Sequence, residues 1–358
     1  MRTLVHIRCS LVSYAYIAAS LLDLPDEILE KCFCNLSFGN LTASLCISKR
    51  LSRIITGRPL YQTVVLPTPA AVVMFRRHLL YNSRYQQLVL DLALTFEDIE
   101  VEEYSLLGML APLLELLPHL QSLDMPLSLP GENWQIIVCD TLISSNRRLL
   151  HLRLGQSQVG STVWKSSTII SLAELPSLKS LDLQCCDIFH TVPSRCFSQL
   201  QEVVLTCHSF YHGEFETLLQ ALPSSLASLA LKECTGVPSN AMALIAKACP
   251  LVQILYIWYN ELSDASSHVP PGYDWSTAMP SLRCLALSGG LASAFGLVRL
   301  RCPLRRVYLS NMQDLDASAA ALLVSRWSPS PDGLHVSIQF SHRNKGYTVE
   351  ELRVITVH

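Results

Sequence analysis

The chain has 358 residues, half of them apolar, with 27 Lys and Arg against 29 Asp and Glu. That near-neutral balance, without long charge runs, gives no electrostatic case for nucleic acid or for an acidic or basic tail. No apolar run reaches the ~18–20 residues that a membrane helix needs.

Residues 1–21 begin with basic Arg2 and Arg8, continue through an apolar middle and reach small residues at Ala18, Ala19 and Ser20. This outline imitates a secretion signal, but Ser13 and two tyrosines interrupt the apolar middle. The segment reads as an unstructured or weakly helical extension. The thirteen cysteines show no pairing logic in their spacing, and many sit on apolar faces. They read as free thiols of a reducing compartment.

Residues 22–61 read as a small helical unit. Asp26 can cap a helix whose apolar residues Ile28, Leu29, Cys32, Phe33 and Leu36 recur at helical spacing. Residues 37–40 break it, with Gly39 in the turn. Leu41 and Leu45 suggest a second helix. Ile47, Leu51, Ile54 and Ile55 mark a third, ended by Gly57 and Pro59. A unit this small is hard-pressed to be stable alone. Its apolar surplus either caps the rest of the chain or docks on another protein.

These residues resemble an F-box. Leu24, Pro25, Glu27, Ile28 and Leu29 match the family's opening. Phe33, Leu36 and Leu41 fall at its later apolar positions. Residues 47–50 look like the segment before its usual tryptophan, and Leu60 with Tyr61 matches its ending. Cys32, Asn40 and Leu51 depart from the isoleucine, aspartate and tryptophan common there.

Residues 62–118 read as a linker with irregular first repeats: a strand at Thr63–Leu66, an amphipathic helix over 70–80 and a strand over 88–94. From residue 119 to 327 a period dominates. Its leading apolar residues are Leu120, Leu149, Leu178, Leu200, Leu226, Val252, Leu282 and Leu304, separated by 29, 29, 22, 26, 26, 30 and 22 residues. Each opens an L-x-x-L-x-L frame, and a proline precedes most of them, stopping a helix before the strand. Period and frame match leucine-rich repeats. The cysteines at 234 and 249 resemble the cysteine-containing subtype often found behind an F-box. Cys186, Cys234 and Asn260 lie where a polar or thiol group can bond backbone at a turn. Residues 328–358, with a proline-rich turn at 328–333 and strand-like runs at 334–340 and 354–357, read as a C-terminal cap.

The fold class expected is α/β. An N-terminal three-helix F-box precedes a leucine-rich-repeat solenoid, with a curved parallel sheet inside and helices outside.

Chemistry is sparse. Cys185, Cys186, His190 and Cys196, and likewise Cys207, His208 and His212, lack the paired spacing of a zinc site. Nucleophile elbow, phosphate loop and metalloprotease motifs are missing. No catalytic residue, metal or cofactor is expected. Residues between the frame leucines should project from the opposite side of the sheet. Arg153, Asp182, Lys232, Tyr256, Trp258, Arg306 and Tyr308 are the candidates there for holding a target protein, because Arg and aromatics anchor interfaces. The other reading is that the aromatics cover neighbouring strands, or lie under the insertion at 263–276.

The resemblance, to fungal F-box proteins with leucine-rich repeats, implies a substrate-recognition subunit of a Skp–cullin–F-box ubiquitin ligase. Leu24, Pro25, Ile28, Phe33, Leu36 and Leu41 would dock on a Skp-type adaptor and through it a cullin. The repeats would hold a target. Neither nucleic acid nor membrane is an expected partner, and the expected compartments are cytoplasm and nucleus. The alternatives are a non-catalytic scaffold acting outside ubiquitination, a plain repeat-type binding module, and a metal-dependent enzyme.

Overall fold

The computed structural model describes residues 24–33, 36, 38–45, 47–95, 103–125, 133–155, 164–165, 170–184, 186–187, 193, 196–206, 208–210, 213–238, 240–258, 279–288, 297, 302–310, 322–323, 334–344 and 347–357. The extension at 1–21, the insertion at 263–276, the turn at 328–333, and Cys185, His190, Cys207, His212 and Asn260 lie outside them.

The described residues open as four short helices where the sequence suggests three: α1 (Asp26–Phe33), α2 (Phe38–Ser44), α3 (Lys49–Ile55) and α4 (Arg58–Gln62). The expected stop at Pro59 instead starts α4, because a proline in the first turn gives up an N–H that has no helical partner. Gly39 and Asn40 lie inside α2 rather than in a turn. So near the helix start, the N–H groups lack partners anyway and a glycine costs little. Ser48 caps α3, its Oγ accepting the Leu51 N–H at 3.1 Å. Leu29, Phe33, Leu41, Leu51, Ile54 and Ile55 form the core of this unit, with Leu24, Leu45 and Leu60 packed on it. Leu51 fills the position of the family's tryptophan and is fully buried.

A second, larger core runs through the rest of the chain. Its strands are β1 (Thr63–Leu66), β2 (Asp91–Leu94), β3 (Ser122–Met125), β4 (His151–Leu154), β6 (Ser180–Gln184), β8 (Glu202–Thr206), β9 (Ser228–Lys232), β10 (Ile254–Trp258), β11 (Cys284–Ser288), β12 (Arg306–Ser310), β13 (Leu334–Asn344) and β14 (Tyr347–Val357). They form one sheet in chain order. Every neighbouring pair is parallel except the last, where β14 folds back on β13. Two-residue strands β5 (Trp164–Lys165) and β7 (Cys186–Asp187) pair separately.

The register aligns the frame without a slip. Leu92, Leu123, Leu152, Leu181, Val203, Leu229, Leu255, Leu285 and Val307 stand side by side. All are buried, and each contributes roughly 1.5–3 kcal/mol relative to exposure. The frame also begins earlier than the period at Leu120 suggests. Val89 with Leu92 and Leu94 repeats it, and so does Tyr61 with Val64 and Leu66. The sheet therefore starts at Thr63, with the strand expected there already in the register of the regular repeats.

Helices α5 (Pro69–Tyr81), α6 (Glu103–Glu115), α7 (Asn133–Ser145), α8 (Glu214–Ala221) and α9 (Ala241–Ala248) return the chain between strands. Buried Asn146 donates from Nδ2 to the carbonyls of Leu117 at 2.7 Å and Leu114 at 3.3 Å, closing the end of the preceding helix. Two repeats later Gln199 does the same for Ala173 and Leu175. Cys234 is buried, and its thiol donates to the carbonyls of Leu205 at 3.5 Å and Lys232 at 3.4 Å. It ties adjacent repeats at their turn. Its neighbour Gly236 has a positive φ of 70°, in a segment where Thr235 pairs with Ser209.

Candidate functional site

Two surfaces gather the candidate residues. The first is the outside of the helical unit. At its edge Asp26, which opens α1, turns its carboxylate to α3. It accepts from Arg50 Nε at 2.8 Å and from Arg53 at 3.1 Å, while Arg50 also donates to the Leu24 carbonyl at 2.7 Å. The Arg50 hydrogen bond holds the Asp26 carboxyl below its ordinary range. This clamp fixes residues 24–26 against α3.

The six residues read as adaptor contacts divide in two. Phe33 and Leu41 are each only 5% exposed and lie inside the helical core. They shape the surface and are covered by it, because their spacing places them on the inward faces of α1 and α2. Leu24 is half-buried and packs on the same core. Pro25 is exposed, and so are Ile28 at 43% and Leu36 at 39%. Ile47, at 65%, belongs with the exposed set, although its spacing in the sequence places it on the third helix's apolar stripe. The signal that separates it is Ser48: the residue before an N-cap lies outside the helix whose periodicity it shares.

The second surface is the face of the sheet opposite the repeat core. Arg153, Asp182, Tyr256 and Tyr308 occupy one row across β4, β6, β10 and β12, with Asp124, Val204, Ala230 and Ala286 filling the strands between and beside them. Lys232 and Trp258 stand opposite each other two residues further on, and Arg306 lies two residues before Tyr308. All seven residues read as target contacts thus share this face.

They form two environments. In the first, Arg153 bridges Asp124 at 3.3 Å and Asp182 at 3.4 Å. Burial pushes the Asp182 carboxyl up, against the pull of Arg153 and Lys232. In the second, Tyr256, Trp258 and Tyr308 are half-buried over small residues. Ala230, Cys284 and Ala286 beneath them are buried although they belong to the outward rows. The Tyr256 hydroxyl lies 3.5 Å from the Cys284 thiol. Burial, and then that thiol, push the Tyr256 phenol up to about 12. The aromatics therefore cover neighbouring strands while staying partly exposed.

The two surfaces are joined without a spacer. Leu60 packs on the helical core and Tyr61 on the repeat core. The Tyr61 ring stacks on Tyr85 at 4.1 Å between centroids, and its hydroxyl meets His78 Nε2 at 3.0 Å. Among the described residues no group of three or more His, Cys, Asp or Glu side chains converges as a metal site, and no helix is long and apolar enough to cross a membrane.

Residues 21–63 match the family model of the F-box domain. The chain carries an F-box domain. The match coincides with α1 to α4, and the leucine-rich-repeat solenoid follows the F-box from β1 onward. No curated protein matches the chain in sequence. Among solved structures, a chain of the yeast Rad7–Elc1 complex is 15% identical with a TM-score of 0.42, over 89% of this chain and 91% of that one. An internalin from Listeria monocytogenes is 14% identical with a TM-score of 0.34, over 74% and 83%. Both are distant, and the solenoid fold rests on the chain's own strand register.

Proposed function

We propose that this chain is the substrate-recognition subunit of a Skp–cullin–F-box ubiquitin ligase. The observation that carries the reading is the F-box domain over residues 21–63, which leaves Pro25, Ile28, Leu36 and Ile47 on its surface. Exposed apolar residues on so small a unit are the side chains a docking partner would cover. That partner is the Skp-type adaptor, which links to a cullin. The repeats hold a target protein on the outward face of the sheet. Because α4 runs straight into β1, a target on the sheet is held at a defined distance from the adaptor.

The mechanism is proximity. Holding the target raises the effective concentration of one of its lysines near a charged ubiquitin carried by other subunits. The chain supplies no catalytic residue and no cofactor, and it works in the cytoplasm or nucleus. The test is recovery of the adaptor and cullin by the wild-type chain and by a Leu24→Ala/Pro25→Ala variant. Loss of both partners with the double substitution is expected. Equal recovery would sink the assignment. Adaptor recovery without cullin would favour a scaffold acting outside ubiquitination.

A further inference from the structure

The outward face of the sheet is divided by charge. On β2 to β8 its strand residues carry four carboxylates, Asp91, Asp124, Asp182 and Glu202, against one guanidinium, Arg153. These carboxylates are engaged locally: Arg153 pairs with two, Thr63 donates to Asp91 at 3.0 Å and Ser180 to Glu202 at 3.0 Å. On β9 to β12 the outward strand residues include two cations, Lys232 and Arg306, and no carboxylate. Glu233, one residue past β9, is exposed at the rim. Between the two cations lies the aromatic deck of Tyr256, Trp258 and Tyr308.

The register sets the dimensions. Lys232 ends β9, and Arg306 begins β12, three strands away and four residues back along the strand direction. Strand spacing of ~4.8 Å and a rise of ~3.3 Å per residue place their backbones about 20 Å apart on a diagonal that crosses Tyr256. An extended chain covers that distance in about six residues.

Resting on the proposed target-holding role, we infer that β9 to β12 bind an extended target segment with two carboxylate side chains about six residues apart and an apolar or aromatic residue between them. The intervening residue, an even number of positions from each carboxylate so that all three share one side of the segment, lies on the deck, where aromatic anchors contribute most to binding. Lys232 and Arg306 each meet one carboxylate. The acidic strands β2 to β8 repel such a segment, so its position on the sheet is confined to this end. Carboxylates fit better than a phosphate. A phosphate concentrates its charge at one point and favours converging donors, whereas these cations stand singly at opposite ends. Arg283 and Arg305 come one residue before their strands, so the strand alternation turns them away from this face.

The test uses the full chain and four pools of nine-residue peptides. All four have two variable positions six residues apart, with Leu, Phe or Trp two residues from one and four from the other, so that all three side chains point to the same side of an extended segment. The variable positions carry Asp or Glu, their amides, Lys, or phosphoserine. Fluorescence anisotropy should show the acidic pool binding at least tenfold tighter than the amide pool and weakening as salt rises. Lys232→Glu/Arg306→Glu should weaken the acidic pool at least tenfold and turn the preference toward Lys. Both residues are exposed, so the variant should fold as wild type does by circular dichroism. Tyr256→Ala should weaken every pool that binds. The inference is overturned if the amide pool binds as well as the acidic one, if only phosphoserine binds, if no pool binds up to millimolar concentration, or if charge reversal leaves the affinity unchanged. Adaptor recovery is measured on the same preparations. An intact adaptor complex alongside any of those results leaves the ligase reading standing, whereas failure of the wild type to bind adaptor removes that reading whatever the peptides do.

Discussion

At the scale of single residues, burial decides which side chains have chemistry to offer. Burial alone pushes Cys249 up to about 11 and Cys302 to about 12. It does the same to Cys139, to about 12, with the nearby Asp140 charge adding to it. Such thiols stay protonated at pH 8, and the thiolate is the reactive form. Cys32 is exposed on α1. Brief alkylation at pH 8, read by peptide mass spectrometry, should label Cys32 well before Cys139, Cys249 and Cys302. Equal labelling would contradict the burial. The linkage has a definite sign. Because these folded-state values lie above the ordinary 9.0, the stabilisation they carry is whole below about pH 9. It is lost as pH rises through 11 to 12, since the unfolded chain ionises first.

At the scale of the element, the repeat of residues 226–257 shows how the frame is built and where it tolerates no change. Its leucines stack, Cys234 ties it to the repeat before, and Gly236 makes its turn. A Cβ on Gly236 would stand 2.0 Å from the Phe210 carbonyl oxygen, and φ there is left-handed. Gly236→Ala should therefore cost more than the roughly 1–3 kcal/mol of the backbone conformation alone. Chemical denaturation should show it as a lowered midpoint, and an unchanged midpoint would contradict the turn. Much of this element was legible in the sequence, because alternation along a strand has a fixed period of two and every frame obeys it. The elements of the first two repeats were legible too, but their place in the common frame was not. Tyr61 stands where a leucine leads elsewhere, and it also ends the F-box pattern, so one residue serves two periodicities. The fourth helix was hidden because proline stops a helix from within and starts one from its first turn. On the sheet face, membership could be read but partnership could not. Arg153 meets Asp124 and Asp182 only through a register set by segments of 22 to 30 residues.

At the scale of the whole molecule, two cores are joined by adjacent residues, Leu60 facing one and Tyr61 the other. The stack of Tyr61 on Tyr85, with His78 beside it, bridges the end of α4 to the first repeat. That continuity suits the proposed proximity mechanism, since a loose tether would spread a target over a larger volume. In the proposed function, exposed apolar residues of the F-box unit, held in place by its buried ones, dock on the Skp-type adaptor. Titration calorimetry of the adaptor against the wild type and Ile28→Glu tests it most directly. Ile28 is 43% exposed, so its replacement should leave the melting temperature within a degree or two, surface changes being worth about 0.5 kcal/mol or less. Saturable one-to-one binding by the wild type is expected, with at least tenfold weaker binding by Ile28→Glu and an unchanged fold. Equal affinities, or no binding by the wild type, would contradict it.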